Sequence, residues 1–307
     1  MPSAATSVSV TSHPAPSGQL VDAFGTRCYR IDQAHTLAPF FCNVVSACDL
    51  WLFVASNGAL TAGRGDADHA IFPYATVDKI YDQAGVTGPC TLVRVTHEGH
   101  DVLWQPFAAH TTQVHEITRA LYKSVEGDRI WFEEPNAALG LVFRYGWATA
   151  EAHGLVRTCE LVNLRPRDIP LQLADGVRNL LPPGIASRLQ SESSCLADAY
   201  KTAELLPRST FAVYSLAAGI IDRAIPMEAL RATAVWSHGL PDAQVLLSDA
   251  QFETFCAGDT PSARSRVRGV RGTYALSSAL TLAPRATQRW TMVIDTGLTQ
   301  AEVARRF

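Results

Sequence analysis

The sequence lacks the features that would place it in a membrane or on nucleic acid. No continuous apolar run approaches the roughly 18 residues that a membrane-spanning helix needs. Charged residues make up only 18% of the 307 residues, and the net charge of −3 leaves no excess of basic residues for phosphate backbones or anionic lipid. We therefore expect neither nucleic acid nor a membrane as a partner.

Motifs of several common enzyme classes are also absent. The sequence contains no G-x-S-x-G nucleophile elbow, no phosphate-binding P-loop and no dinucleotide-binding glycine fingerprint. Serine-based acyl transfer, nucleotide hydrolysis and dinucleotide redox chemistry consequently have no support. We expect no cofactor.

The cysteines and the N-terminus favour a reducing, cytoplasmic setting. Seven cysteines are scattered without a metal-like C-x-x-C pair, and an odd number cannot fully pair within one chain. Residues 1–19 are rich in Ser, Ala, Thr and Pro but have neither a basic nor an apolar segment of a signal peptide. This composition predicts a disordered leader over residues 1–24.

What the sequence does contain is β-strand patterning. Every odd position from 139 to 147 is apolar or aromatic, which predicts a strand with one face in the core. Segments of strand character recur from residue 91 onward, and two long strands over 274–282 and 288–295 are expected to form a final pair hinged at Pro284-Arg285. Pro170 indicates an edge strand or a strand start. The pattern predicts an all-β fold, a large antiparallel two-sheet β-sandwich over residues 25–297.

Three segments carry helix signals instead. Residues 193–206 have apolar residues at helical spacing between a serine cap and Pro207. Ser248 and Gln251 form the pattern of a capping box, and so do Thr299 and Glu302. We interpret residues 298–307 as the start of a linker helix toward a helical domain, because so well specified a beginning suits a longer helix.

A polar segment between two apolar anchors is the best candidate for function. Trp51 to Val54 are predicted to be a strand buried on both faces, and Asn57-Gly58 to turn it back in a hairpin. Residues 62–69, called the elbow below, then bring together Arg64, Asp66 and Asp68. Charged groups of this kind could bind sugar hydroxyls or a neighbouring domain, and the alternative is a local ion-paired turn.

The same region carries a resemblance that reaches from about Tyr29 through most of the chain. Its residues are Asn57-Gly58, Leu60 to Arg64, Ala67-Asp68, Phe72 to Tyr74, Asp78 to Ile80, Ile130 to Glu134, Phe143 to Tyr145 and Asp175 to Pro182. They resemble the N-terminal region of cellobiose-phosphorylase-like and related glycoside-hydrolase-like proteins. The resemblance implies a galactose-mutarotase-like sandwich that precedes an (α/α) barrel, and the barrel supplies the general acid.

We therefore expect a non-catalytic domain that shapes a sugar site or supports a helical barrel. Its partners would be an oligosaccharide or that C-terminal helical domain. The expected carbohydrate-binding or interface residues are Asn57, Arg64, Asp66, Asp68, Tyr74, Asp78 and Lys79. No catalytic residue and no metal ligand is assigned.

Two other functions stay open. A free-standing mutarotase-like epimerase would need a His/Glu pair on one sheet face, with His97, His100, His110 or His115 as the acid. The cluster from His97 to Asp101 could also bind a metal, although Gly99 indicates an exposed hairpin tip. The third possibility is an interaction module that forms homodimers through its outer sheet.

The strand tryptophans and the Glu133-Glu134 pair are weaker candidates. Trp131 and the other strand tryptophans could stack on sugar rings, although core packing is the commoner role of such side chains. Glu133 and Glu134 are neighbours on a predicted strand, so they point to opposite faces and cannot act together as a glycosidase pair.

Overall fold

A computed structural model describes residues 15–108, 117–220 and 231–307, and antiparallel strands dominate this part of the chain. The strands are β1 (Ser17–Ala23), β2 (Thr26–Asp32), β3 (Phe41–Val44), β4 (Leu50–Ala55), β5 (Leu60–Arg64), β6 (Ala70–Phe72), β7 (Gly88–His97), β8 (His100–Trp104), β9 (Ala120–Ser124), β10 (Arg129–Asn136), β11 (Leu141–Ala150), β12 (Gly154–Asn163), β13 (Ile169–Leu180), β14 (Lys201–Leu205), β15 (Ala212–Leu216), β16 (Arg231–His238), β17 (Gln244–Leu246), β18 (Arg266–Arg268), β19 (Gly272–Leu282) and β20 (Thr287–Thr299).

The helices are short. They are α1 (Ser187–Glu192), α2 (Ser194–Tyr200), α3 (Asp249–Ala257) and α4 (Gln300–Arg306), with 3-10 turns at Ala34–Thr36, Ala67–His69 and Ile80–Gln83. Among the described residues, no helix has the length and apolar character needed to cross a membrane.

The strands form three sheets in two layers. The large sheet has eleven strands in the order β1-β2-β9-β10-β11-β12-β20-β16-β15-β14-β18. A five-stranded sheet (β17-β19-β13-β7-β8) and a four-stranded sheet (β3-β4-β5-β6) make the other layer. One continuous apolar core contains buried side chains from all three sheets. The predicted antiparallel β-sandwich is therefore confirmed.

The alternating pattern of residues 139–147 has the predicted consequence. Phe143, Tyr145 and Trp147 on β11 are at most 2% exposed and belong to the core, whereas Arg144 projects from the opposite face and forms ion pairs there. The face of the large sheet that carries Arg144 is called its outer face.

A fully buried ion pair connects the two layers. Arg157 of β12 donates to both carboxylate oxygens of Asp175 on β13, at 2.7 and 2.8 Å. Thr91 and Trp290 each add a hydrogen bond of 2.7 Å to the same carboxylate. Burial opposes the charge on Arg157, but the facing carboxylate outweighs it and raises the pKa of the guanidinium.

Strand β1 corrects the prediction for the N-terminal leader. Residues 17–23 lie within the segment predicted to be disordered, yet all seven pair with β2. Their composition is polar because β1 is the edge of the large sheet, where most of its side chains face solvent.

The strand expected to be buried on both faces is buried on one. Leu52 and Val54 on β4 are buried, whereas Trp51 and Phe53 are partly exposed. The four-stranded sheet covers the core with one side only, so an apolar run here does not imply a central position. The predicted hairpin to β5 is present, but only Gly58 of its turn has a positive φ (88°).

Two further expectations are corrected by strand pairing. The helix predicted over residues 193–206 ends at Tyr200, and residues 201–205 form β14 because they hydrogen-bond to β15 and β18. The strands β19 and β20 do not pair with each other. They belong to opposite layers, with Leu276 and Trp290 both in the core between them.

Pro170 and the two capping boxes agree with the sequence. Pro170 is the second residue of β13, a strand start, although β13 itself is internal to the five-stranded sheet. Ser248 caps α3, and Thr299 with Glu302 makes a complete capping box at α4.

Candidate functional site

The elbow is an ordered, exposed turn at the edge of the four-stranded sheet. Asp66 caps the 3-10 turn at Ala67–His69 by accepting from the Asp68 amide at 3.0 Å, and its Oδ1 lies 2.7 Å from His69 Nδ1. The hydrogen bond from His69 is the main reason why the pKa of Asp66 is lowered. The position at an open rim is what a docking or binding role requires.

Asp68 connects the elbow to α1. Its Oδ1 accepts from both the amide and the hydroxyl of Ser187, each at 2.7 Å, and these bonds lower the pKa of the carboxyl. Next to this contact, the amide of Tyr74 donates to Gln190 Oε1 at 2.9 Å. Two bonds from Ser187 to Asp68 thus hold the elbow against α1, and the bond from Tyr74 holds the segment after β6 against the same helix.

Arg64 connects the elbow to the C-terminal strand. It pairs with Asp49 and donates to Asp295 Oδ1 at 3.2 Å, and Arg306 of α4 pairs with the other oxygen of Asp295 at 2.7 Å. The Asp295 side chain is only 2% exposed. One buried carboxylate therefore joins the elbow, β20 and α4.

The other predicted site residues do not converge on the elbow charges. Asn57 bonds to the carbonyl of Tyr81 and to the amide of Ala59, so its side chain stabilises its own hairpin turn. Asp78, whose pKa is lowered by the Thr76 hydroxyl, and Lys79 lie in the exposed turn before the last 3-10 helix. The binding role of all seven residues stays a prediction.

A pocket of about 290 Å³ adjoins the elbow. We call it the elbow pocket; its walls come from residues 73–86 on one side and from α1, α2 and the start of β14 on the other. Its polar lining residues are Tyr74, Gln83, Asn179, Gln190, Ser191, Ser194, Asp198, Lys201 and Arg271. Of the residues predicted from the sequence, Tyr74 lies in it.

The outer face of the large sheet holds a second candidate that the sequence did not reveal. The strand registers place Tyr122, Trp131 and Gly146 side by side across β9, β10 and β11. We call this the aromatic row; it continues through Thr158 on β12. Directly paired residues of antiparallel strands share a face, so these side chains line one surface.

A charged row runs beside the aromatic row on the same face. Glu133, Arg144, Glu160 and Arg289 are successive partners across β10, β11, β12 and β20, and their charges alternate. Arg144 pairs with Glu133 and reaches Glu160 at 3.5 Å, and Arg289 pairs with Glu160 at 2.7 Å. Tyr122 connects the rows through a bond of 3.1 Å to Glu133.

The two rows line a groove of about 580 Å³, called the outer-face groove. Gly146 allows the indole of Trp131 to lie flat on the sheet, because a Cβ there would come within 2.3 Å of the ring. Phe24, in the turn between β1 and β2, stacks on Trp131 with centroids 4.5 Å apart and forms the lip of the groove. The Trp131 ring at the floor of the groove is thus packed between Gly146 and Phe24, and aromatic rings and charged side chains line the rim.

The sequence contained half of the signal for this groove. Trp131 and Glu133 were singled out, and the expectation that Glu133 and Glu134 point to opposite faces is confirmed: Glu134 is buried and bonds to Trp104 and Arg119. The missing half was the register, since residues 133, 144, 160 and 289 become neighbours only through cross-strand pairing.

Among the described histidine candidates, His97 lies 3.8 Å from the carboxylate of its neighbour Glu98, at a turn and not on a sheet face. His97 and His100 face each other at the two-residue turn between β7 and β8, an exposed hairpin tip. His110, His115 and Glu116 lie outside the described residues. Across the ranges 15–108, 117–220 and 231–307, no group of three or more His, Cys, Asp or Glu residues could hold a metal ion.

Comparison with known proteins finds structural likeness without sequence relatives. No protein-family model matches the chain, and no curated protein matches it. Among solved structures, a protein of Escherichia coli K12 described as a candidate aldose 1-epimerase is 12% identical with a TM-score of 0.47, covering 84% of this chain and 99% of that one.

Two other solved structures show which kinds of protein share this likeness. A galactose mutarotase-like protein of Clostridium acetobutylicum is 11% identical with a TM-score of 0.39, covering 92% of this chain and 98% of that one. A bacterial glucoamylase complexed with acarbose is 10% identical with a TM-score of 0.37, covering 88% of this chain but 35% of the enzyme. Mutarotase-like and glycoside-active proteins are thus among the structures found, as the resemblance predicts.

Proposed function

We propose that this chain is a carbohydrate-associated β-sandwich without catalytic activity of its own, and that it binds a saccharide in the outer-face groove. The observation that carries the proposal is the adjacency of the aromatic row and the charged row on one sheet face. The resemblance in the sequence to glycoside phosphorylase-like and hydrolase-like proteins agrees with it.

The chemistry of the groove suits a neutral sugar. Sugar rings present C–H groups that pack on the faces of aromatic rings and hydroxyls that accept and donate, and charged side chains make the stronger hydrogen bonds to such hydroxyls. The row alternates two carboxylates with two guanidinium groups, so it offers donors and acceptors without a net charge. A volume of about 580 Å³ is within the range of small-molecule sites.

The contacts of the carboxylates argue against catalysis in this groove. Glu133 and Glu160 each pair with a guanidinium group, so both carboxylates already have charged partners within the sheet face. His238 lies on the same face, but on β16, two strands from Thr158 and hence about 10 Å away. Among the described residues, histidines pair with carboxylates at the exposed elbow (His69 with Asp66) and at the β7–β8 hairpin tip (His97 with Glu98), and neither pair lines this groove.

A titration of the purified chain with glucose, maltose and cellobiose tests the proposal, with chemical shifts or tryptophan fluorescence as the signal. We expect saturable binding of at least one sugar and weaker binding by Arg289→Gln, because the Arg289 side chain is 70% exposed and its loss should not disturb folding. Arg285→Gln is the matched control, since Arg285 is exposed in the turn between β19 and β20 and does not line the groove.

Equal behaviour of the two variants, or no binding of any sugar, would contradict the groove. Turnover of a disaccharide by the purified chain, with or without phosphate, would contradict the absence of catalysis.

The elbow supports a second candidate function, contact with a helical domain. Asp295 holds Arg64 of the elbow and Arg306 of α4 at the same point, so a domain that follows α4 would meet the elbow directly. If the gene encodes a helical region, that region should bind the chain when the two are produced separately. Asp66→Asn should weaken this association, and an unchanged affinity would exclude the elbow as the contact.

A further inference from the structure

We propose that the elbow pocket binds the anionic group of a small molecule, either a carboxylate or a phosphate ester. This site is separate from the outer-face groove: it is formed by the segment that follows β6, by α1 and α2, and by the start of β14, and the two sites have no lining residue in common. The inference goes beyond the proposed function and does not depend on it.

Lys201 provides the first cation. Its side chain is only 6% exposed, and its ammonium group donates to Asp198 Oδ1 at 2.6 Å. An ammonium group has three donors, and within the described ranges the Lys201 ammonium group makes no other hydrogen bond. A buried lysine that lines a pocket with donors to spare is suited to an anionic ligand.

Arg271 provides the second cation. It is exposed on the rim of the pocket, and in the described residues its guanidinium group has no hydrogen bond and no ion pair. Both cations line the same pocket, and the pKa of Lys201 is lowered mainly by burial and to a lesser degree by the charge of Arg271, against the opposite effect of Asp198. A ligand anion would relieve this repulsion.

The charge of the pocket lining is therefore positive. The lining contains two cations, Lys201 and Arg271, and one carboxylate, Asp198. The remaining polar groups are neutral hydroxyls and amides. Guanidinium and ammonium groups are the usual partners of carboxylates and phosphates because their hydrogen bonds are charge-assisted. The outer-face groove, by contrast, has balanced charges.

The neutral groups indicate what would carry the anion. Ser194 at the start of α2 lines the pocket and is exposed, and Tyr74 presents a half-exposed ring at the opposite rim. A hydroxyl and an aromatic edge on either side of a cationic centre suit a sugar ring with one acidic substituent. The volume of about 290 Å³ admits a single ring of this size.

The test is a calorimetric titration at about 0.15 M salt, where nonspecific surface attraction is screened. Glucuronate and glucose 6-phosphate are the probes, inorganic phosphate tests the anion alone, and glucose is the neutral control. We expect at least one anionic probe to bind one-to-one and glucose to bind at least about tenfold more weakly, since glucose cannot form the charge-assisted hydrogen bonds.

Variants then locate the site. Arg271→Gln should weaken the anionic probe about tenfold or more, and Asp198→Asn should tighten it, because the competing carboxylate is removed. Arg285→Gln is the matched control, since Arg285 follows β19 at the end where Leu282 pairs with Ile169, the opposite end of β13 from Asn179. Arg285→Gln should leave the affinity for the anionic probe unchanged.

Preference for glucuronate would identify a carboxylate site, and preference for the two phosphates a phosphate site; both results support the proposal. It is overturned if no anionic probe binds, if glucose binds as tightly as the anions, or if Arg271→Gln and Arg285→Gln have equal effects.

Discussion

Arg157 and Asp175 form a bidentate ion pair in which both side chains are completely buried, and this pair joins β12 of the large sheet to β13 of the five-stranded sheet. Cys159 and Trp290 on the large sheet and Thr91 on β7 also contact the carboxylate. The centre of the sandwich is therefore a polar cluster inside an apolar core, in which both carboxylate oxygens are hydrogen-bonded and the buried Nε of Arg157 has no partner among the described residues.

Removal of one partner should be strongly destabilising. We expect Asp175→Ala to lower the free energy of unfolding by about 3–5 kcal/mol, because it leaves the Arg157 charge buried and unpaired. Urea denaturation monitored by circular dichroism measures this. The double variant Arg157→Met/Asp175→Leu removes both charges and should lose less than Asp175→Ala alone; an equal or larger loss would contradict the account.

Gly146 should tolerate no side chain without a response from Trp131. A Cβ at Gly146 would lie 2.3 Å from the indole, so Gly146→Ala should displace the ring and cost about 1–3 kcal/mol. Tryptophan fluorescence and urea denaturation report the two effects. Gly18→Ala on β1 is the control, since its nearest atom would be 3.9 Å away; equal shifts in both variants would exclude a specific contact.

The capping box of α4 should contribute measurably. Thr299 accepts from the Glu302 amide, and Glu302 in turn accepts from the Thr299 amide at 2.7 Å. Thr299→Ala should therefore cost about 1 kcal/mol. Hydrogen exchange of α4 amides should accelerate in this variant. Thr260→Ala, at an exposed loop position, should leave the exchange unchanged.

The contact between Asp68 and Ser187 should depend on pH. Its hydrogen bonds lower the pKa of Asp68, so the folded state resists protonation and the unfolded chain takes up the proton first. The stabilisation is complete above the unfolded pKa of about 3.9 and is lost as the pH falls through the lower folded value. The wild type should thus exceed Asp68→Asn in stability at pH 6, and this difference should shrink toward pH 3.

Equilibrium unfolding of both chains across this pH range provides the measurement. Asp259→Asn, at an exposed position after α3, controls for the general effect of losing a carboxylate. A difference between wild type and Asp68→Asn that does not change with pH would contradict the assignment.

Local patterns in the sequence predicted what depends on neighbours along the chain. The alternation at residues 139–147 placed Tyr145 and Trp147 in the core, and the capping pattern located the start of α4. Local patterns could not predict contacts between segments that lie far apart in the sequence. Asp68 meets Ser187 across 119 positions, and Lys201 begins a strand because β15 and β18 are beside it, whatever its helical spacing suggests.

The outer-face groove shows the same limit for a site. Each of its residues is an unremarkable member of its own strand, and the charged row exists only because four registers align residues 133, 144, 160 and 289. A shift of one strand by a single residue would turn its groove side chains into the core. Pairing, which a single sequence does not display, decides this surface.

Asp295 gives the molecule a mechanical property. One oxygen of the Asp295 carboxylate pairs with Arg64 of the elbow, and the other oxygen pairs with Arg306 of α4. A displacement of α4 should therefore also displace the elbow. Anything that seats on α4 would be felt in the turn around Asp66, and anything that seats on that turn would be felt in α4. Arg64 and Arg306 lie far apart in the sequence, and the Asp295 carboxylate brings them together.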